Sequence, residues 1–105
     1  MSVIQATDAD FESALRSNEK TIVKYYADWC GSCKLIAPKY KRLSADERFQ
    51  GIQFLEVNAE ENAASRKIGG VSNLPFFAVF KGDQLVESAA TNKEEAIVEM
   101  LNNLN

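Results

Sequence analysis

The chain has 105 residues, 46% of them apolar and 26% charged, which suits one compact domain over residues 1–105 and is too apolar for intrinsic disorder. Its formal charge of -3, with 12 Lys and Arg spread among 15 Asp and Glu, argues against a phosphate backbone as partner, and no apolar run approaches the roughly 20 residues needed to cross a bilayer. The absence of His removes imidazole general bases, Ser-His-Asp triads and most zinc sites, and the first residues lack the basic-then-apolar pattern of a secretory signal, so a cytoplasmic address is expected.

Residues 3–5 form a short predicted edge strand, and Thr7 is placed to cap a first helix that buries Phe11, Ala14 and Leu15. Residues 21–26 are β-branched and aromatic and read as a central strand covered on both faces, with Lys24 the exception inside it. From Cys33 onward Ile36, Ala37, Tyr40 and Leu43 or Ser44 recur at helical spacing. Pro38 is expected to interrupt and kink that helix, because its ring removes one donor and crowds the preceding turn. Gly51 closes a loop into a third strand, residues 52–57, with Ile52, Phe54, Leu55 and Val57 available for burial. A short helix follows over residues 60–68 and ends at Gly69-Gly70. Residues 76–80 and 84–88 are strands joined by Lys81-Gly82-Asp83, an antiparallel hairpin in which Gly82 supplies the positive φ. Asn92 is placed as cap of a last helix, with Glu95 as capping-box partner and Ile97, Met100, Leu101 and Leu104 facing inward. The resulting order, βαβαβαββα, belongs to the α/β class.

The two cysteines, Cys30 and Cys33, lie in Trp29-Cys30-Gly31-Ser32-Cys33-Lys34, where a predicted strand ends and a helix begins. Free N–H groups and the positive end of the helix dipole favour a thiolate there, so Cys30 is expected to be more acidic than a free thiol at about 8.5 and to serve as nucleophile. Cys33 follows on the same side, at a separation compatible with an S–S bond, and is placed to resolve a mixed disulfide. On the residues alone a structural disulfide, a buried pair of apolar thiols and half of an intermolecular metal site stay open. Two thiols fill only half of a tetrahedral ligand set, so no metal site within one chain is expected. Trp29, directly before Cys30, reads as a shield over the sulfurs and a flat contact surface.

These residues carry a resemblance that runs along the chain. Ala27-Asp28-Trp29-Cys30-Gly31-Ser32-Cys33-Lys34, Ala37-Pro38, Val57-Asn58, Val71-Ser72-Asn73-Leu74-Pro75 and Phe80-Lys81 together resemble the thioredoxin family. The resemblance implies a mixed five-stranded sheet ordered 1-3-2-4-5 with four flanking helices, and a cis peptide between Leu74 and Pro75. It also implies reduction of protein disulfides by dithiol–disulfide exchange, with no tightly bound cofactor and with re-reduction by an NADPH-dependent thioredoxin reductase. A monomer is expected. On this reading Trp29, Gly31, Ser32, Val71, Leu74 and Pro75 shape the substrate surface. The competing readings are a binding module that uses the apolar rim with incidental redox chemistry, and an oxidase or isomerase on the same fold.

Five positions depart from the family's pattern. Ser32 stands where many members have Pro, and its N–H and hydroxyl are candidates to approach the Cys30 sulfur. Lys24 and Glu56 stand where the family has a buried Asp and a neighbouring Lys, so the pair is reversed in sign. If the two meet behind the active site, Glu56 is the candidate proton acceptor for Cys33, and a structural ion pair is the alternative. Ala90 stands near a position usually held by Gly and is expected to narrow the substrate groove, and Phe76 replaces a common Thr.

Overall fold

The structure is a computed structural model that describes residues 2–105; Met1, the first residue of the stretch read for a leader, lies outside the described residues. Strands β1 (Val3–Gln5), β2 (Lys20–Tyr26), β3 (Gln53–Asn58), β4 (Phe76–Lys81) and β5 (Gln84–Ala90) form one sheet in the order β1-β3-β2-β4-β5. The β1–β3 and β3–β2 pairs are parallel, and the β2–β4 and β4–β5 pairs antiparallel. Four α-helices, α1 (Phe11–Arg16), α2 (Gly31–Ser44), α3 (Ala63–Gly69) and α4 (Glu94–Asn103), cover the two faces, the mixed sheet and helix count that the resemblance implies.

Strand alternation divides the core in two. One cluster joins Ile22, Phe54, Phe77 and Val79 to Ile36, Tyr40 and Leu43 of α2 and to Ile97, Met100 and Leu101 of α4. The other joins Val23, Tyr25, Leu55, Val57, Phe76, Ala78 and Phe80 to Phe11 and Leu15 of α1. Successive side chains of a strand point to opposite faces. Lys24 therefore shares the α2 face with Ile22, and Glu56 shares it with Phe54.

Several element boundaries differ from expectation for local reasons. Thr7 does not cap α1: its carbonyl accepts from Phe11 N (2.9 Å), its own N–H donates to Asp10 Oδ1 (2.8 Å), and the cap position falls to Asp10. Asn92 does not cap α4 either. Lys93 holds that position without a side-chain cap bond, while Thr91 Oγ1 accepts from Lys93 N at 3.1 Å, so the expected capping box with Glu95 is not formed. Helix α3 begins three residues late because Asn58 builds a turn, its Oδ1 accepting from Glu60 N (3.0 Å) and its carbonyl from Asn62 Nδ2 (3.0 Å). A short 3-10 turn, Glu47–Phe49, precedes β3, with Asp46 accepting from Arg48 N. Helix α2 runs through Pro38 without a break, so Pro38 does not interrupt it. The hairpin turn is as expected, with Gly82 at φ 57, a conformation L side chains resist.

Candidate active site

Cys30 is the N-cap of α2, and its Sγ accepts a hydrogen bond from the Cys33 N–H at 3.2 Å. Strand β2 delivers the chain to this point, and the first turn of α2 carries it onward, so sulfur and helix N-terminus coincide. Cys30 and Cys33 form a disulfide with Cα atoms 5.3 Å apart. Both are buried, at 5% and 3% exposure, in a small cluster with Ala27 against which Tyr26 and Leu74 pack. Trp29 beside them is 67% exposed, and Gly31 is open to solvent. Ser32 lies over the same turn, but the donor on Cys30 Sγ is the Cys33 backbone, and no Ser32 bond reaches that sulfur among the described residues.

The Leu74-Pro75 peptide is cis. A groove of about 260 Å³ runs beside it, lined by Ser32, Asn73, Leu74, Pro75, Ala90 and Thr91. Ala90 thus contributes to the wall of the groove, as expected from its position. Thr91 N donates to the Pro75 carbonyl at 3.2 Å, which ties that wall to the start of β4. Val71 is set apart from this group: it packs on the core cluster of Tyr25 and Phe76, a cluster that Leu74 also touches.

Behind the disulfide, Lys24 and Glu56 are direct cross-strand partners in the β2–β3 register, with Nζ and Oε2 3.2 Å apart. The Lys24 side chain is 5% exposed and that of Glu56 28%, so the ammonium is the deeper charge. Its Nζ lies 5.5 Å from the ring centroids of both Tyr26 and Tyr40, close enough for cation–π attraction. Both residues line a pocket of about 250 Å³ together with Tyr26, Cys33, Lys34 and Ala37. The pair and the inner cysteine therefore share one space.

Tyr40 fixes this arrangement from above. Its hydroxyl donates to the Leu55 carbonyl (2.8 Å), with the Ile22 carbonyl 3.0 Å away, which pins α2 across β2 and β3. Complete burial holds that phenol well above its ordinary value, with the Glu56 charge adding to the effect, so it stays a donor. Burial also raises Tyr26, whose hydroxyl accepts from Gln5 Nε2 at 2.8 Å. Neither tyrosine was singled out as a site residue by composition or spacing. The signal was available for Tyr26, two residues after Lys24 and so on the same face of β2.

The Thioredoxin family model matches residues 2–103. A curated thioredoxin of Staphylococcus aureus is 36% identical over 88 residues, which are 83% of this chain and 82% of that protein. Among solved structures, Plasmodium falciparum thioredoxin superposes with a TM-score of 0.86 at 26% identity, covering 98% of each chain. Spinach chloroplast thioredoxin F gives 0.89 at 24% identity over 98% of this chain and 86% of its own, a likeness of fold. A chain from the complex of ferredoxin:thioredoxin reductase with thioredoxin f2 gives 0.88 at 27% identity over 97% and 94%.

Proposed function

The chain belongs to the thioredoxin family, and we propose that within it Cys30 is the nucleophile and Cys33 the resolving thiol of a protein-disulfide reductase. The observation that carries this is the position of Cys30 at the α2 N-terminus, with a backbone N–H already on its sulfur. That N–H and the helix dipole stabilise a thiolate. The Cys30 thiolate attacks one substrate sulfur, forms a mixed disulfide and expels the other substrate sulfur as a thiolate. Cys33 then gives its proton to Glu56, directly or through one water, attacks the Cys30 sulfur and releases the second substrate thiolate. Two electrons pass to the substrate, and the protein is left as the disulfide. The dithiol itself carries those electrons, which is why thioredoxins need no tightly bound cofactor.

Trp29, Gly31, Ser32, Val71, Leu74 and Pro75 form the substrate face, Val71 and Leu74 both packing on the same core cluster. Lys24 Nζ, 3.2 Å from Glu56 Oε2, positions that carboxyl group. The donor that restores the dithiol is a thioredoxin reductase drawing on NADPH; the solved complex of a relative with a reductase supports such a partner in general. The protein acts as a cytoplasmic monomer of one domain, residues 1–105.

The test is the reduction potential of the Cys30–Cys33 couple, read by Trp29 fluorescence in defined thiol buffers. A value near about -270 mV, typical of thioredoxins, is expected. One above about -200 mV moves the protein toward oxidases and isomerases, and an irreversible or inert pair leaves only a binding role. Glu56→Gln should slow substrate reduction with an altered profile between about pH 6 and 9. Unchanged rates across that range reduce Lys24 and Glu56 to a structural ion pair.

A further inference from the structure

Tyr26 ends β2 and stands between the redox pair and the charge behind it. Successive residues of a strand alternate faces, so Tyr26 lies on the same side of the sheet as Lys24. Its side chain packs on the Cys30–Cys33 cluster, and its ring centroid lies 5.5 Å from Lys24 Nζ. The residue is held at both ends: Ala59 N donates to the Tyr26 carbonyl (2.8 Å), and Gln5 Nε2 donates to its hydroxyl (2.8 Å). Tyr40, fixed by the carbonyls of Ile22 and Leu55, offers the ammonium a second ring at 5.5 Å. The charged groups that line the pocket with Cys33 are Lys24 from β2, Asp28 from the turn after it, Lys34 from α2 and Glu56 from β3, two cations against two carboxylates. Depth separates them. Asp28 and Lys34 are exposed, where water and salt screen them, whereas the Lys24 and Glu56 side chains are 5% and 28% exposed. The charges that act on Cys33 through little solvent therefore reduce to this pair.

We propose that Tyr26 is a positioning residue for the exchange: its ring keeps the Lys24 ammonium beside Cys33, where that ammonium becomes the counter-ion of the Cys33 thiolate. This rests on the reductase reading above, with Glu56 as acceptor. When the Cys33 proton passes to Glu56, the carboxylate becomes neutral and the negative charge moves to sulfur. The net charge of the pocket is unchanged, but Lys24 has lost the anion that held it at 3.2 Å. The faces of Tyr26 and Tyr40 then hold it by cation–π attraction, which is strongest for a desolvated ammonium. The cation so stays in the pocket that Cys33 lines until the thiolate has attacked the Cys30 sulfur and the second substrate thiolate has left. Burial, helped by the charges of Glu56, Asp28 and Glu61, holds the Tyr26 phenol above its ordinary value, so its ring remains a neutral π face throughout.

The chemically reduced protein, labelled with an NMR-active carbon at each cysteine Cβ, tests this, because the carbon shifts followed against pH report the ionisation of Cys33 apart from that of Cys30. Tyr26→Met fills much of the ring's volume without a π face, frees the ammonium to turn to solvent, and should raise the Cys33 midpoint by about one pH unit. Water admitted to a merely loosened pocket favours the thiolate and moves the midpoint down, so the direction separates positioning from packing. Tyr26→Phe keeps the ring, loses only the Gln5 bond, and should stay within about 0.2 pH units of the parent. Lys24→Met should raise the midpoint by as much as Tyr26→Met, and the double variant should add no more than about 0.3 pH units to either alone. A Tyr26→Met midpoint that falls or stays, a Tyr26→Phe change as large as that of Tyr26→Met, or a Lys24→Met midpoint equal to the parent's overturns the proposal. The titration reads the resting dithiol and needs no turnover. Failure of the reduced parent to open 2-hydroxyethyl disulfide, followed by Trp29 fluorescence, is a separate result and overturns the reductase reading itself.

Discussion

Removing the two halves of the Lys24–Glu56 pair should have unequal costs, because the two charges sit at different depths. At 3.2 Å the Coulomb attraction is about 5 kcal/mol for an effective dielectric of about 20 and about 1.3 kcal/mol in water. Lys24, at 5% exposure, feels the former more; Glu56, at 28%, can turn toward solvent. Glu56→Gln leaves the ammonium buried among Tyr26 and Tyr40 with only a neutral acceptor, and should destabilise by about 2–3 kcal/mol. Lys24→Met replaces the stem with an apolar chain of similar length and frees Glu56 to be hydrated, for a cost of about 1 kcal/mol or less. The double variant should return to within about 1 kcal/mol of the parent, giving a coupling energy of about 2 kcal/mol. Urea unfolding of the oxidised protein at pH 7 reads all four corners, and the Glu56→Gln midpoint should fall by roughly 1–2 M. A Lys24→Met loss larger than that of Glu56→Gln, or a coupling under about 0.5 kcal/mol, would refute the argument from depth.

Gly69→Ala should destabilise by about 1–3 kcal/mol although the position is helical, because the new Cβ would stand 2.7 Å from Tyr25 Cζ and displace a ring whose hydroxyl donates to the Ser65 carbonyl at 2.9 Å; thermal unfolding checks it, and a raised Tm would show that helix propensity wins. Asp8 accepts from Ser65 Oγ (2.7 Å), Ser65 N (2.8 Å) and Ala64 N (3.2 Å), bonds that hold its carboxyl below the usual range. A depressed native pKa adds stability above the unfolded value near 3.9 and loses it as pH falls through the native value. Asp8→Asn should therefore be less stable than the parent at pH 7, and the gap should close in denaturation series carried below about pH 4; a gap independent of pH would count against the carboxylate.

The sheet and its two core clusters were readable because burial writes itself into strand alternation: Phe76, Ala78 and Phe80 point one way and Phe77 and Val79 the other. The redox pair was equally plain, since its two cysteines fall at a strand-to-helix junction. Placing Leu74-Pro75 and opposing Lys24 to Glu56 needed the family resemblance as well. What escaped the reading is long-range or cooperative. Asp8 serves the first turn of α3 across 57 positions, Tyr40 reaches two strands at once, and the Gly69–Tyr25 contact exists only after α3 docks. Thr7 and Asn92 are suitable residue types for caps, but each helix starts further on: Thr7's own N–H is held by Asp10 Oδ1, and Lys93 N by Thr91 Oγ1, so the cap positions fall at Asp10 and Lys93.

The placement of the redox centre in the sheet bears on which local openings reach it. Cys30 follows β2 and Pro75 precedes β4, the two interior neighbours, with β3 outside one and β5 outside the other. The rims are lightly held: β1 is three residues long and mostly exposed, and β5 is exposed along most of its length. Amide exchange at β1 and β5 should then proceed by fraying, while the buried interior strand β2 exchanges only through global opening. The dithiol thus follows directly on the best protected strand of the sheet. A partner that peels back β1 leaves the geometry of attack unchanged, whereas one that peels back β5 takes away the Ala90–Thr91 wall of the groove.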